Sequence, residues 1–233
     1  MKRAIVVGAS SGIGMEVARL LRENGWTVGV AARRIEMLSE FDFNAKIDVN
    51  DDDSESKLLD LIDSVGGMDL YFHCSGIGHQ NRQLEEEIEV QTVKTNCLGF
   101  TRMVGAAYRY FSSHGGGHIA VISSIAGTKG LGPAPSYSAS KSFQGIYIQA
   151  LEQLSNRNHL NIHFTDIRPG FVATALIDDG QSYPLVLDKH SVAEDIVRSV
   201  IKQRHRRVID WRWRVITRLW RLVPNIIWRH LPL

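Results

Sequence analysis

Residues 8–14 read Gly8-Ala9-Ser10-Ser11-Gly12-Ile13-Gly14, and this stretch decides the fold. It follows a short apolar run at residues 4–7 and opens a segment with helical spacing, so it predicts a strand, a tight turn and a helix. Glycines in such a turn let the backbone approach a pyrophosphate at the positive end of the helix. The spacing is GxxxGxG rather than the commoner GxGxxG, and a tight turn without a ligand is the structural alternative.

The pattern around that turn repeats along the chain. Apolar runs alternate with segments that carry apolar residues every three or four positions, which is typical of a parallel sheet with helices on both faces. The predicted strands lie near residues 4–7, 27–31, 45–48, 70–74, 118–123 and 161–166. The predicted helices lie near residues 12–24, 53–65, 86–112, 138–156 and 192–204.

This alternation predicts an α/β fold: a single-domain, Rossmann-like, doubly wound parallel sheet over residues 1–207. Residues 175–190 break the alternation and predict a mobile loop on the carboxyl side of the sheet, where ligands of such folds bind. Residues 208–233 are predicted as a last strand followed by a basic amphipathic extension.

The composition agrees with one globular domain. Of 233 residues, 44% are hydrophobic and 22% are charged, which is not typical of disorder. No apolar stretch approaches the roughly 20 residues that span a bilayer, and the run after Met1 ends at Gly8, too early for a secretory signal. Cys74 and Cys97 have no CxxC or metal-ligand spacing, so we expect reduced thiols in a cytoplasmic protein and no metal site.

Two arginines follow the second predicted strand. Folds that select NAD commonly carry an acid there to bond the ribose 2′-hydroxyl, but this chain reads Arg33-Arg34. A guanidinium pairs well with a 2′-phosphate, so the sequence favours NADP(H) as the cofactor. The alternative is a solvated basic start to a surface helix.

A tyrosine and a lysine lie four residues apart in Ser136-Tyr137-Ser138-Ala139-Ser140-Lys141, at the start of a predicted helix. Their side chains therefore share one helix face. A phenol has a pKa of about 10, and a nearby ammonium together with a positive nicotinamide lowers it, so that Tyr137 could exchange a proton with an alcohol. Such pairs also occur by chance on surface helices, so the motif gains weight only from the others.

The order of these motifs resembles the short-chain dehydrogenase/reductase family over about residues 1–204. The motifs that carry the resemblance are Gly8, Gly12-Ile13-Gly14, Asn96, Ser123-Ser124, Tyr137 and Lys141.

That resemblance implies an Asn-Ser-Tyr-Lys tetrad, and the family's usual interval between serine and tyrosine selects Ser124 over Ser123. By resemblance, Ser124 bonds the substrate oxygen, Tyr137 gives it a proton, and Lys141 also binds the nicotinamide ribose. The backbone of Asn96 would hold a water in a proton relay to the lysine. The alternative for Asn96 is a helix-kinking residue without chemistry.

The resemblance also implies further cofactor contacts. Asp48-Val49 is similar to the adenine-contacting element, and the segment from Pro169 to Thr174 is similar to the one that holds the nicotinamide carboxamide. His73-Cys74-Ser75-Gly76 departs from the family's common Asn-Asn-Ala-Gly, and Val7 replaces a frequent threonine, which bears on fine geometry rather than on the reaction. The predicted cofactor-binding set is Gly8, Ser10, Ser11, Gly12, Ile13, Gly14, Arg33, Arg34, Asp48, Val49, Gly76, Asn96, Tyr137, Lys141, Pro169, Gly170, Val172 and Thr174.

The end of the chain is basic and rich in tryptophan. From Arg204 onward eight arginines face one acid, a net charge of +7, which leaves −5 for the rest of a chain whose total is +2. Residues 208–213 are predicted as the last strand, and a following apolar stripe with arginines opposite predicts an amphipathic helix that Pro224 ends or kinks. This tail suits an anionic membrane surface. The alternatives are packing on the domain, on a second subunit, or over the substrate pocket; nucleic acid fits the interleaved apolar residues least.

Together these features predict an enzyme that reduces a ketone to a secondary alcohol with NADPH, or the reverse. We expect a hydrophobic substrate such as a lipid 3-oxo group or a steroid. The alternative is a non-catalytic NADP-binding sensor or scaffold. By resemblance we expect a homodimer or homotetramer formed through the two long helices, and a cytoplasmic location with the tail as a candidate contact on the inner membrane face.

Overall fold

A computed structural model describes residues 2–178 and 180–231. The remaining positions are Met1, Asp179, Pro232 and Leu233. The outer ends of the predicted ranges 1–207 and 208–233, and one position of the predicted loop 175–190, therefore lie outside the described residues.

Seven parallel strands form one sheet in the order β3-β2-β1-β4-β5-β6-β7. The sequence order reverses between β1 and β4, which opens a crevice at the carboxyl ends of these strands. The strands are β1 (Arg3–Val7), β2 (Thr27–Ala32), β3 (Phe43–Lys46), β4 (Leu70–His73), β5 (Gly117–Ile122), β6 (Ile162–Pro169) and β7 (Arg206–Ile209).

Helices cover both faces of the sheet. They are α1 (Gly12–Glu23), α2 (Ser54–Val65), α3 (Glu86–Val93), α4 (Phe100–Ser113), α5 (Pro135–Arg157), α6 (Lys189–Ile201), α7 (Trp211–Leu222) and α8 (Asn225–Trp228). Residues Lys94–Gly99 join α3 to α4 as one turn of π-helix, so the long predicted helix at 86–112 is present with a bulge inside it.

The central strands are buried on both faces, as their nearly continuous apolar runs predict. In β1, Ala4 and Val6 pack into the core beneath α1 and α6, whereas Ile5 and Val7 pack into the core beneath α2 and α4. The predicted doubly wound, Rossmann-like fold is thereby confirmed.

The predicted last strand at 208–213 is wrong at its carboxyl end. Strand β7 stops at Ile209, and the Asp210 carboxylate accepts the backbone N–H groups of Arg212, at 3.1 Å, and Trp213, at 3.5 Å. Because this side chain caps the free donors of a first helical turn, the chain enters α7 at Trp211 instead of extending the strand.

The tail packs on the domain through three indoles. Trp213 is buried beside Gly170, Trp220 donates to the Thr128 hydroxyl at 2.7 Å, and Trp228 donates to the Gly130 carbonyl at 2.8 Å. Helix α7 ends at Leu222, before Pro224, as predicted. Within the described part of the chain, no helix combines the length and the apolarity needed to cross a membrane.

Candidate active site

The end of β5 and the start of α5 bring the predicted catalytic residues together. Ser123 and Ser124 follow β5 directly, and Tyr137 and Lys141 lie one turn apart in α5. The Lys141 Nζ atom lies 5.7 Å from the centre of the Tyr137 ring. The spacing of the sequence motifs therefore corresponds to one cluster at the carboxyl edge of the sheet.

The two adjacent serines have different surroundings. Ser123 is buried and donates its hydroxyl hydrogen to the carboxylate of Asp166 on β6, so it ties two strands together. The Ser124 hydroxyl accepts the backbone N–H of Ala126 at 3.1 Å, and its remaining hydrogen-bonding capacity faces the phenol of Tyr137, whose pKa it lowers. Of the two, Ser124 is the one suited to bond a substrate oxygen.

The sequence predicts a lowered pKa for the Tyr137 phenol, but in the structure this pKa is raised. Desolvation is the strongest influence and raises the pKa above its ordinary value, although the nearby Ser124 hydroxyl acts in the opposite direction. Protein groups alone therefore keep Tyr137 a neutral phenol at neutral pH. This is the protonation state that a proton donor needs.

Lys141 is buried and its ammonium is held at two points. Its Nζ donates to the Ile122 carbonyl at 2.9 Å and to the Gln144 side-chain oxygen at 3.0 Å. Burial lowers the pKa of Lys141 to about 8, partly offset by Cys74 and Asp166. The pKa of Lys141 is therefore only slightly above neutral pH. Two of its three N–H groups are bonded, so the third is available to a further acceptor.

Asn96 lies in the π-helical turn and is fully buried. Its side-chain oxygen accepts the Ile77 N–H at 2.9 Å, and its side-chain nitrogen donates to the Ile77 carbonyl at 2.7 Å and to the Ser140 hydroxyl at 3.1 Å. The backbone carbonyl of Asn96 accepts the Gln144 side-chain N–H at 3.0 Å. Gln144 was not predicted, although its seven-residue distance from Tyr137 places both on one helix face.

The glycine-rich turn fits a dinucleotide phosphate. Gly8 has φ of +92°, and a Cβ there would lie 2.5 Å from the Ser75 nitrogen, so only glycine is tolerated. Helix α1 begins at Gly12 with no side-chain cap among the described residues, which leaves its first N–H groups available to an anion.

The side chain of Arg34 lies over this turn. Its Nη2 donates to the Ser10 hydroxyl at 3.2 Å and to the Ser11 hydroxyl at 3.1 Å. Arg33 is exposed and makes no hydrogen bond or ion pair within residues 2–178 and 180–231. The structure thus distinguishes the two predicted arginines by placing the Arg34 guanidinium beside the two hydroxyls.

Two contacts link other predicted cofactor residues across the carboxyl edge of the sheet. A Cβ at Gly12 would touch the Thr174 methyl at 3.3 Å, and a Cβ at Gly76 would lie 3.5 Å from the Lys141 Nζ. The remaining predicted cofactor residues are partly or fully buried. Ile13 and Gly14 lie in the first turn of α1, Pro169 ends β6, and Gly170 and Val172 follow it. The Asp48 carboxylate accepts the Asn50 N–H at 3.0 Å, and Val49 packs against Gly99.

His73 departs from the family pattern and lies beneath this cluster. It is fully buried, and its Nδ1 lies 2.8 Å from the Tyr71 hydroxyl. Desolvation, aided by the positive charge of Lys141, lowers the pKa of His73 to about 3, so the ring is neutral. It supports the floor of the site without adding a charge.

Two loops approach each other beside the catalytic cluster. Gln80 donates to the Tyr183 hydroxyl at 3.2 Å, and the Tyr183 ring lies 4.6 Å from that of Phe171. Leu187 pairs through its backbone with Phe171 and Ala173, which ties the predicted loop 175–190 to the end of β6.

A separate groove of about 490 Å³ lies between residues 127–132 and the start of α5, and neither Ser124 nor Tyr137 borders it.

Known proteins are similar to this chain in sequence and in fold. The family model described as short chain dehydrogenase matches residues 2–182. An uncharacterized oxidoreductase of Mycobacterium tuberculosis is 27% identical over 97% of this chain and 95% of its own length. The structure of actinorhodin polyketide ketoreductase with NADPH is 24% identical, with a TM-score of 0.78 over 89% of this chain and 95% of that one. An alcohol dehydrogenase of Thermococcus sibiricus, complexed with 5-hydroxy-NADP, is 23% identical, with a TM-score of 0.76 over 90% and 95% of the two chains.

Fold and site together define a nucleotide-binding oxidoreductase of the Rossmann type. Within that class, the chain belongs to the short-chain dehydrogenase/reductase family.

Proposed function

We propose that this protein reduces a ketone to a secondary alcohol with NADPH, reversibly, and that Asn96, Ser124, Tyr137 and Lys141 are its functional tetrad. The observation that carries the proposal is the cluster itself: the buried Lys141 Nζ lies 5.7 Å from the centre of the Tyr137 ring, and the Ser124 hydroxyl faces the same phenol.

Each side chain has one task in this reaction. The Ser124 hydroxyl donates to the carbonyl oxygen and orients it. Tyr137 gives its phenolic proton to that oxygen as negative charge develops there. The Lys141 ammonium stabilises the phenolate that remains, and its free N–H is available to a ribose hydroxyl. When bound, NADPH supplies the hydride that the carbonyl carbon receives.

Preference for NADP(H) is the second part of the proposal. Arg34, with Ser10 and Ser11, offers a cation and two hydroxyls where a 2′-phosphate would lie, and an acid is absent from the end of β2. The neighbours of similar fold include complexes with NADPH and with 5-hydroxy-NADP. Arg33 contributes a further positive charge at the same edge.

We propose a hydrophobic ketone as the substrate, with a lipid 3-oxo group or a steroid as the class to test first. Phe171 and Tyr183 form an aromatic contact at the side of the site, and Leu185 and Val186 of the adjoining loop are exposed. Apolar side chains at such a rim favour apolar substrates.

Assembly and location complete the proposal. Helices α3 and α5 expose a set of large apolar side chains, which supports a homodimer or homotetramer formed through them. That set is Val90, Val93, Phe143, Ile146 and Leu154. We place the protein in the cytoplasm, with its tail against the inner membrane face.

The proposal is tested by a panel of ketones, monitored by NADPH absorbance and repeated with NADH. We expect turnover of at least one apolar ketone, faster with NADPH. The sensor or scaffold alternative predicts that NADPH binds, as measured by its fluorescence, while no ketone or alcohol in the panel is converted.

A further inference from the structure

Helix α7 has two apolar faces, one against the domain and one in solvent. Trp213 and Thr217 are buried on the inner face. On the opposite side Trp211, Leu219 and Leu222 are exposed by 67%, 60% and 78%. With Val215 they recur at intervals of four, four and three residues, which is the spacing of one continuous stripe. Since the helix is already anchored by its inner face, the outer stripe indicates an interaction surface.

Arginines border this outer stripe. Helical geometry places Arg214 and Arg218 along one side of it and Arg212 along the other, whereas Arg221 lies nearer the domain, close to Arg168 and Arg206. Arg212 pairs with Asp210 at 2.9 Å, whereas Arg214 and Arg218 form no ion pair with any carboxylate that the structure describes. The stripe therefore has a positively charged border whose charges are available to a partner.

We infer that this surface, Trp211, Arg214, Val215, Arg218, Leu219 and Leu222, docks on an anionic lipid bilayer. The apolar stripe enters the boundary between headgroups and acyl chains, and the guanidiniums meet lipid phosphates. A symmetric contact with a second copy is a poorer match, because it would bring two segments of charge +7 together. This inference does not depend on the proposed reaction.

The test is co-sedimentation of the full chain with vesicles of phosphatidylcholine, with and without phosphatidylglycerol. We expect binding to the anionic vesicles only, and its loss as salt is raised. Leu219→Ser with Leu222→Ser should weaken binding roughly tenfold or more, because both side chains are exposed and lose only their lipid contact. Arg214→Gln with Arg218→Gln should weaken it by roughly tenfold.

A matched control replaces two exposed apolar residues elsewhere. Met37→Ser with Leu59→Ser, at 49% and 39% exposure, should bind vesicles as the parent chain does. Equal binding to neutral and anionic vesicles, or full binding by the Leu219 and Leu222 variant, would overturn the inference. A parent dimer that the same variant converts to monomers, seen by light scattering, would assign the stripe to a second copy instead.

A separate observation concerns Gln144, which lies one turn beyond Lys141 and is fully buried. Its amide nitrogen donates to the Asn96 carbonyl and its amide oxygen accepts from the Lys141 Nζ, both at 3.0 Å. The family resemblance assigns that carbonyl to a relay water that leads to the lysine. Here a protein side chain spans the same two groups.

We infer that Gln144 is a positioning residue that replaces this water and fixes the Lys141 ammonium. An amide at neutral pH neither releases nor takes up a proton, so Gln144 holds the charge without carrying protons. A hydrogen bond accepted from the ammonium favours the charged form, so in this role Gln144 helps to keep Lys141 protonated against the effect of burial. The role rests on the proposed function of Tyr137 and Lys141.

The other titratable groups around Lys141 do not replace this contact. Titratable groups on its own helix and on three neighbouring elements influence its charge. Besides the Ile122 backbone carbonyl, the group that accepts a hydrogen bond from its Nζ among the described residues is the Gln144 side chain. Those groups are Tyr137 on α5, His73 and Cys74 at β4, Cys97 in the π-helical turn and Asp166 on β6.

The test replaces Gln144 by leucine, which keeps the buried volume and removes both amide groups. Loss of the acceptor should move the alkaline limb of the kcat profile to lower pH by about one unit. NADPH affinity, measured by fluorescence below the alkaline limb, should change by less than about threefold, because the Lys141 ammonium keeps its bond to the Ile122 carbonyl. Gln144→Glu, which restores an acceptor for the ammonium, should return the limb toward its original position or beyond it.

The outcomes separate this inference from the proposed function. A purely structural Gln144 predicts lower thermal stability and rate with an unmoved alkaline limb, which would overturn the positioning role. If Tyr137→Phe leaves the reductase active, the proposed function fails first. If Tyr137→Phe is inactive and the limb of Gln144→Leu is unmoved, only the inference about Gln144 fails.

Discussion

The ring of Tyr137 lies directly against the backbone of Gly78: a Cβ at residue 78 would be 2.5 Å from the ring Cδ2 and 2.6 Å from Cε2. Gly78→Ala should therefore displace the phenol without altering any reacting group. Because small displacements of a catalytic group are costly, we expect kcat to fall by roughly 100-fold. Steady-state kinetics with a responsive ketone measures this.

Gly130→Ala is the matched control, because no atom lies within 4 Å of a Cβ at that position. It should retain kcat to within about threefold. Equal losses in the two variants would mean that the contact between Gly78 and Tyr137 has no special role.

Cofactor choice depends on Arg34 more than on Arg33. Arg34→Ala removes the guanidinium that is held by Ser10 and Ser11, so KM for NADPH should rise roughly tenfold or more, while KM for NADH changes little. Arg33→Ala, at an exposed side chain without these bonds, should have a smaller effect of the same sign. If Arg34→Ala raises both KM values equally, the arginine does not read the 2′-phosphate.

Acid should destabilise the fold through two buried histidines. Desolvation lowers the pKa of His73 to about 3 and that of His118 to about 4, while the unfolded value is about 6.5. Below pH 6.5 the unfolded chain therefore binds protons that the folded chain does not, so stability falls as pH decreases. Each histidine adds a slope of about 1.4 kcal/mol per pH unit down to its folded pKa.

Replacing His73 by asparagine should flatten this acid dependence. Thermal unfolding between pH 6.5 and 4 measures the slope, and His79→Asn, at an exposed histidine, serves as the control. A slope that His73→Asn leaves unchanged would show that His73 is not buried as a neutral ring.

Anchoring of the tail depends on Trp213. Its side chain is 4% exposed, so Trp213→Ala should lower the free energy of unfolding by about 3–5 kcal/mol. Trp211→Ala, two residues earlier and 67% exposed, should cost less than about 0.5 kcal/mol. Chemical denaturation compares the two, and similar costs would contradict the described seating of α7.

The sequence was sufficient for the sheet and for the main site. Continuous apolar runs indicated strands buried on both faces, and the order of Ser124, Tyr137 and Lys141 located residues that the fold brings together. The strand order follows from tertiary contacts that no local pattern encodes.

Three features of the structure could not be predicted from the sequence. The strand pattern at 208–213 was overridden by the Asp210 cap, because one side chain decided where the helix starts. The sequence predicts one apolar stripe on α7, but Trp220 packs inward while Leu219 remains exposed. Gln144 shares a helix face with Tyr137, yet its role depends on the Asn96 carbonyl, which only the folded chain brings within reach.

Comparison of Tyr137→Phe with the parent enzyme tests the central claim most directly. The variant keeps the ring and lacks only the proton donor, so NADPH should bind with nearly unchanged affinity by fluorescence, while kcat with a responsive ketone should fall by at least roughly 100-fold. An unchanged kcat, with NADPH binding intact, would contradict the assignment of Tyr137 as the acid.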